Sequence, residues 1–153
     1  MAKTLSVSAI KDGTVIDHIP SGSAFAILQL LKLLASKHHI SLGLNLSSRS
    51  MGYKDLIKIE DRFLTPKEAH DIAVFAPNAT INIIKDYKVA SKITSQLPKT
   101  IKRILICPNS RCITNSEPVE THFLIEEHKQ AVILRCHFCE KRFERSEIKE
   151  YRP

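Results

Sequence analysis

The chain has 153 residues, of which 43% are hydrophobic and 25% charged, and its formal net charge is +7. These values are typical of a folded globular protein and exclude a mainly disordered chain. The longest apolar stretch, from Ala24 to Ala35, is interrupted by Gln29 and Lys32 and is too short to cross a bilayer. No signal-peptide pattern opens the sequence, so we expect no membrane association and a cytoplasmic location, where thiols stay reduced.

Charge and cysteine divide the chain into two parts. Residues 1–100 hold 13 Lys and Arg against 8 Asp and Glu, residues 101–153 hold 10 against 8, and all four cysteines lie in the second part. Pro98 stands in a short polar stretch between them, which predicts two domains, residues 1–97 and 101–153. A basic surplus suits a nucleic acid, a phosphorylated ligand, an acidic partner or only a solvated surface.

The first domain begins with strands predicted over residues 4–10 and 14–19, joined by a Lys-Asp-Gly turn. A helix with a serine cap follows. Its predicted buried face comprises Phe25, Leu28, Leu31 and Leu34. The next predicted strand places every second residue on one apolar face, which comprises Ile40, Leu42, Leu44 and Leu46.

A second strand over residues 54–60 leads into a helix with a clear start signal. Thr65 is the predicted N-cap, Pro66 takes the first helical position, and Glu68 completes a capping box. A strand hairpin over residues 79–93 follows. This order predicts an α+β fold in which a ferredoxin-like antiparallel sheet is covered on one face by two helices.

The second domain is predicted to be a small all-β module built around its cysteines. Strands are predicted over residues 103–107, 122–128 and 131–136. Cys107 and Cys112 enclose four residues, and Cys136 and Cys139 enclose two, which is the spacing of metal-ligand pairs. Four thiolates leave no position for a catalytic water, so we interpret the pattern as one structural zinc in a zinc-ribbon-like domain.

The first domain carries few traces of chemistry. Period two places Lys54 and Lys58 on one strand face, about 13 Å apart, where they could flank a polyphosphate or simply face solvent. Asp17 and His18 are adjacent at a strand end, which alone is weak evidence for a site. No glycine-rich phosphate loop or nucleophile beside a base is present.

Six segments of the chain are distinctive when they are considered together: "GTVIDHIP", "GLNL", "MGYKDLIKIE", "FAPNATIN", "CPNSRCI" and "CHFCEKRF". Together they resemble the regulatory subunit of aspartate carbamoyltransferase. The resemblance covers most of the chain, from about Ser8 to Phe143. It implies a non-catalytic protein of pyrimidine biosynthesis whose N-terminal domain binds CTP, ATP or UTP and whose zinc domain docks on the catalytic chain. It also implies regulatory homodimers within a dodecamer of six catalytic and six regulatory chains.

The resemblance assigns the nucleotide contacts residue by residue. Asp17 and Lys58 would meet the ribose, His18 and Lys92 the phosphates, and main-chain groups of Ile84 and Tyr87 the base. The full predicted set is Asp17, His18, Lys54, Lys58, Asn82, Ile84, Tyr87, Val89 and Lys92. The partner interface implied in the same way comprises Asn109, Arg111 and Glu140.

Three positions depart from the best-known members of that family. Ser8 replaces a glutamate near the base, Thr4 a lysine near the phosphates, and Arg111 an asparagine in the first zinc loop. The main rival interpretation is a zinc-ribbon protein that binds nucleic acid, although aromatic residues make up only 6% of the chain. A metalloenzyme is a second rival and would require a ligand that exchanges with water.

Overall fold

The computed structural model describes residues 9–93, 96–129 and 131–148. The chain divides into two compact units, one within residues 1–96 and the other within residues 97–153. The predicted strand over residues 4–10 lies outside the described residues except for Ala9 and Ile10, which are not in a strand. Thr4 and Ser8 also lie outside them.

The first unit is a five-stranded antiparallel sheet with strand order β2-β3-β1-β4-β5. Its strands are β1 (Gly13–Pro20), β2 (Ile40–Ser48), β3 (Gly52–Glu60), β4 (Thr80–Lys85) and β5 (Lys88–Ile93). Gly13 has a φ of +145°, and a Cβ there would lie 2.0 Å from the Ile59 carbonyl oxygen. Only glycine therefore permits the close pairing of β1 with β3 at this point.

Two helices, α1 (Ala24–Leu30) and α2 (Pro66–Phe75), follow β1 and β3 respectively. The capping box of α2 is confirmed, because the Glu68 amide donates to Thr65 Oγ1 at 3.2 Å and the Thr65 amide donates to Glu68 Oε1 at 3.1 Å. The side chain of Ser23 makes no cap hydrogen bond to α1. Instead, the buried Asp55 carboxylate accepts from the amides of Gly22 and Ala24.

The predicted buried face of the first helix is only half correct. Leu28 and Leu31 are buried, but Phe25 and Leu34 are 55% and 67% exposed. Lys32 adopts a left-handed backbone with a φ of 55°, which ends α1 and starts a separate 3-10 turn over Leu33–Ala35. The helical period therefore does not continue to Leu34.

The strand predicted over Ile40 to Leu46 is present as β2, but its apolar face is not fully covered. Leu42 and Leu44 are 38% and 43% exposed. β2 is an edge strand, and its pairing with β3 shifts register between Gly43 and Leu46, where Asn45 has a φ of 56°. An edge position and a bulge together leave these leucines beyond the cover of the core.

The second unit is a four-stranded antiparallel sheet with order β6-β7-β8-β9. Its strands are β6 (Thr100–Lys102), β7 (His122–His128), β8 (Ala131–Cys136) and β9 (Arg142–Glu144). Short 3-10 turns cover Ile113–Asn115 and Arg145–Glu147. The α+β class with a small β module that carries four cysteines is confirmed.

The strand predicted over residues 103–107 is wrong. Arg103 adopts a left-handed backbone with a φ of 72°, which ends β6 one residue earlier. Leu105 forms only a single bridge, and its carbonyl accepts from Thr121 Oγ1 at 2.6 Å. An apolar run alone does not reveal the break at Arg103.

None of the helices among the described residues is long and apolar enough to cross a membrane.

Candidate functional site

A row of paired residues crosses the first sheet on the face opposite the core. Lys58 pairs with Val15, Val15 with Asn82, and Asn82 with Lys92. Directly opposed residues of antiparallel strands project from the same face, so these four side chains share one surface. The next row, which projects from the other face, contains Ile16, Ile57 and Ile81, all fully buried. We call the first surface the ligand face.

Strand spacing sets the size of the ligand face. With strands about 4.8 Å apart, the backbones at Lys58 and Lys92 are separated by about 14 Å, a gap that two lysine side chains can bridge through a shared anion. Asn82 lies between them, and its buried Oδ1 has no hydrogen-bond partner among the residues that the structure describes. An unpaired buried acceptor is costly, so it marks a place where a ligand donor would be favoured.

Charged groups gather around Asp17 at one end of this face. Lys54 Nζ lies 2.9 Å from Asp17 Oδ1, and the side chains of both residues are about one-fifth exposed. Burial lowers the pKa of Lys58, and the Asp17 carboxylate offsets part of that shift. Asp17 therefore interacts with both Lys54 and Lys58, a contact that strand period two alone did not predict.

His18 joins this cluster through a bulge in β1. The register of β1 on β3 shifts between Ile16 and Ile19, and His18 has a φ of 58°. Its amide donates to Asp17 Oδ1 at 2.7 Å, while its Nδ1 lies 3.2 Å from Thr80 Oγ1. A bulge commonly redirects a side chain in this way, and here it turns the imidazole towards β4.

The other end of the ligand face is apolar. Ile84 pairs with Val89, and the turn that joins β4 to β5 holds Asp86 and Tyr87 with φ values of 53° and 64°. Tyr87 and Val89 are exposed, whereas Ile84 is buried. The Tyr87 amide donates to the Lys11 carbonyl at 2.9 Å, which ties this turn to the segment that precedes β1.

Two residues on this face escaped the sequence analysis. Val15 lies between Lys58 and Asn82, and Thr80 pairs with Asp17 and contacts the imidazole of His18. The alternation of Val15 with Asp17 was a signal for the first. No sequence signal indicates Thr80, because its contact depends on the bulge at His18.

The second unit brings the four cysteines together. Their sulfur atoms all lie within 4.8 Å of one another. Cys107 Sγ is 3.8 Å from Cys139 Sγ, and Cys112 Sγ is 3.7 Å from Cys136 Sγ. Four sulfurs bound to one zinc ion at about 2.3 Å would be separated by about 3.8 Å, so the donor set fits a single tetrahedral metal.

Local hydrogen bonds shape the two loops that carry the cysteines, residues 107–115 and 136–140, which we call the metal loops. The Cys112 amide donates to the Asn109 carbonyl, and Asn115 Nδ2 donates to the carbonyls of both Cys107 and Asn109. In the second loop, the Glu140 amide donates to the Cys136 carbonyl, and Glu140 has a φ of 63°. Each loop therefore closes on itself and holds its two sulfurs on the same side.

The thiols differ in how readily they ionise. Burial raises the pKa of Cys107 and of Cys136. Burial also raises the pKa of Cys139, but hydrogen bonds from the Lys141 backbone and the Asn109 side chain, with those to Cys136 and Cys107, lower it to about 7. Metal ligation requires thiolates, so binding of a metal ion releases the protons that the thiols carry in the metal-free protein.

The predicted interface residues surround these loops. Arg111 and Glu140 are exposed, whereas Asn109 is half-buried and its Oδ1 accepts from the Arg111 amide at 3.1 Å. Two large apolar side chains of the same loops, Ile113 and Phe138, are 49% and 41% exposed. The loop surface therefore combines exposed charge with exposed apolar area.

Comparison with known proteins covers both units. The family model described as "Aspartate carbamoyltransferase regulatory chain, allosteric domain" matches residues 5–96, and the one described as its "metal binding domain" matches residues 99–149. The chain belongs to the aspartate carbamoyltransferase regulatory chain family.

Curated relatives agree with both matches. The aspartate carbamoyltransferase regulatory chain of Photorhabdus laumondii is 49% identical over 144 residues, which is 94% of each chain. Those of Yersinia pseudotuberculosis and Yersinia pestis are each 49% identical over 140 residues, covering 92% of this chain and 91% of theirs.

This membership confirms the predicted family and a regulatory rather than catalytic role. The allosteric domain of the family spans the whole ligand face, and the metal binding domain spans all four cysteines. The named domain and the cluster of sulfurs together indicate a bound metal. Membership of this family also assigns the chain to pyrimidine biosynthesis.

Proposed function

We propose that the ligand face binds a nucleoside triphosphate and that its occupation modulates the catalytic chain of aspartate carbamoyltransferase. The observation that carries this proposal is the row formed by Lys58, Asn82 and Lys92 across the face opposite the core. The predicted set of nine residues falls on four strands and one turn of a single sheet. CTP, ATP and UTP are the proposed ligands.

The change in polarity along the ligand face supports one orientation of the ligand, with its phosphates near the charged end and its base at the apolar end. Lysines and an imidazole lie near one end, where phosphate oxygens gain charge-assisted hydrogen bonds. Ile84, Val89 and Tyr87 lie at the other end, where a base can cover apolar side chains. Lys92 and His18 would contact the phosphates, Asp17 and Lys58 the ribose, and main-chain groups of Ile84 and Tyr87 the base.

The proposed metal is one structural zinc per chain, held by Cys107, Cys112, Cys136 and Cys139. The support is a set of four sulfur donors within 4.8 Å of one another, of which two pairs lie at 3.8 and 3.7 Å, close to the separation in a tetrahedral zinc site. When bound, the metal supplies a cross-link between the two loops. A unit of this size has too little core to fold on its own, so ligation and folding are expected to be coupled.

The metal loops are proposed to dock on the catalytic chain. Arg111 and Glu140 supply exposed charges of opposite sign, and Ile113 and Phe138 supply apolar area of the kind found at interface cores. Asn109 would contribute mainly by holding the loop through its hydrogen bond from the Arg111 amide. The proposed assembly contains six catalytic and six regulatory chains.

The proposed regulatory homodimer would use the β2 edge of the first sheet. The two edges differ: β5 carries Lys88 and Lys92, which disfavour strand addition, whereas β2 exposes Leu42 and Leu44. Pairing two β2 strands would satisfy an edge that is unpaired among the described residues, and it would cover these leucines. Allosteric coupling would then reside in the assembled complex, because it requires two sites and two global states.

Co-expression with the catalytic chain of the same organism tests this function. The purified complex should contain both chains, and its rate at subsaturating aspartate should change when CTP, ATP or UTP is added. The matched control is the catalytic chain alone, which should show no such change. Failure of the chains to co-purify, together with steeply salt-dependent binding to mixed DNA or RNA, would favour the zinc-ribbon nucleic-acid-binding alternative.

A further inference from the structure

We propose that Thr114 is a positioning residue of the metal centre, whose hydroxyl donates a hydrogen bond to the Cys112 thiolate. This inference rests on the proposed metal site and adds a group outside the four ligands. Thr114 Oγ1 lies 3.2 Å from Cys112 Sγ, and both residues are almost completely buried, at 1% and 2% exposure. In the metal-bound protein Cys112 is a thiolate and can only accept, so the hydroxyl is the donor.

The position of Thr114 follows from the first loop. A 3-10 turn over Ile113–Asn115 begins directly after Cys112, and Asn115 fastens the turn by donating to the carbonyls of Cys107 and Asn109. The turn brings the side chain two residues after Cys112 back towards its sulfur. The contact is therefore built into the fold of the loop rather than left to a mobile surface side chain.

A donor at this sulfur has a clear physical use. Four thiolates around one divalent cation leave a net charge of −2, and three of the four sulfurs belong to cysteines that are at most 2% exposed. Buried charge is costly unless hydrogen bonds compensate it. A hydroxyl directed at Cys112 lowers that cost and withdraws electron density from the sulfur, which makes the bound thiolate less reactive towards electrophiles.

The fold supplies a matched control in the same unit. Thr121 is equally buried, at 1% exposure, but its hydroxyl donates to the Leu105 carbonyl at 2.6 Å and not to sulfur. Replacing either threonine by valine removes one buried hydroxyl at nearly constant volume. Both variants should lose stability, whereas only Thr114→Val should alter the metal centre.

The experiment uses the full chain loaded with zinc and, separately, with Co²⁺. Competition with a chelator gives the metal affinity, a mercurial gives the rate of zinc release, and the Co²⁺ protein gives the energy of the thiolate-to-metal absorption band. Thr114→Val should bind zinc about tenfold more weakly or worse, release it faster and shift the band, since loss of such a partner typically costs ten- to a hundredfold in affinity. Thr114→Ser should restore all three values.

Two outcomes would overturn the proposal. One is a Thr114→Val protein with the wild-type affinity, release rate and absorption band. The other is a Thr121→Val protein, or a Thr114→Ser protein, in which the metal centre changes as much as in Thr114→Val. If the valine variants fail to fold, Thr114→Ala and Thr121→Ala provide the same comparison. Absence of zinc from the wild-type chain would instead refute the proposed metal site itself.

Discussion

Lys54 Nζ lies 2.9 Å from the Asp17 carboxylate on the ligand face, so one of the proposed ligand-binding cations is already neutralised within the protein. The same carboxylate also acts on Lys58. Burial lowers the pKa of Lys58, and the Asp17 carboxylate raises it again in part. Asp17 therefore opposes the binding of a bare polyphosphate. A ligand with ribose hydroxyls would compensate that carboxylate while its phosphates approach the lysines.

Asp17→Asn should narrow the preference of the chain for a nucleoside triphosphate over inorganic triphosphate. The variant removes the repulsive charge and releases Lys54, which favours inorganic triphosphate, while the ribose loses a charged acceptor. Because a hydrogen bond to a charged group contributes about 1.5–3 kcal/mol, the ratio of the two affinities should fall by about tenfold or more. Calorimetric titration with both ligands measures it. An unchanged ratio would remove Asp17 from the choice of ligand.

Asp55→Asn should destabilise the first unit by about 2–3 kcal/mol, since hydrogen bonds to charged groups are lost or weakened. The Asp55 carboxylate is 1% exposed and accepts from the amides of Gly22, Ala24 and Asn45. An asparagine must place an amide group against one of these donors. Urea denaturation measures the change, and Asp61→Asn is the control because Asp61 is exposed. Equal stability of both variants would contradict the account of how α1 begins.

Features that depend on residues close together in the chain follow the sequence prediction, whereas features that depend on distant residues do not. The capping box at Thr65 and the spacing within each pair of cysteines depend on residues close together in the chain, so the sequence alone predicts them. The predicted serine cap of α1 is absent because a distant residue, Asp55, accepts the hydrogen bonds from the amides of Gly22 and Ala24. The predicted apolar face of β2 is incomplete because a bulge near Asn45 shifts the register. The ligand face itself spans four strands and emerges only from their pairing.

Removing the metal with a chelator or mercurial should unfold the second unit and leave the first folded. The reason is that the bound metal would join the two cysteine loops through their sulfurs, and the second unit has no α-helix among its described residues. Metal analysis should give about one zinc per chain, and two-dimensional NMR should show signals lost for residues 97–153 only. A full set of dispersed signals after metal removal would contradict this coupling.

Arg111→Glu should weaken assembly with the catalytic chain by at least about tenfold without loosening the metal, because it reverses an exposed charge beside the metal loops. Lys129→Glu makes the same change in charge at an exposed site in the β7 to β8 connection and should assemble normally. Analytical ultracentrifugation measures assembly, and metal content is determined in parallel. Loss of zinc from Arg111→Glu alone would assign this loop a structural role instead.

The measurement that tests the central claim most directly is calorimetric titration of CTP, ATP and UTP into the wild-type chain, Lys92→Ala and Lys88→Ala. Lys92 pairs with Asn82 on the ligand face, whereas Lys88 pairs with Lys85 on the opposite face of the same strand. We predict that Lys92→Ala binds about tenfold to a hundredfold more weakly, which corresponds to one charge-assisted contact, and that Lys88→Ala binds as the wild type does. Equal affinity of all three proteins for every nucleotide, or no binding of any nucleotide even in the complex with the catalytic chain, would contradict the proposal.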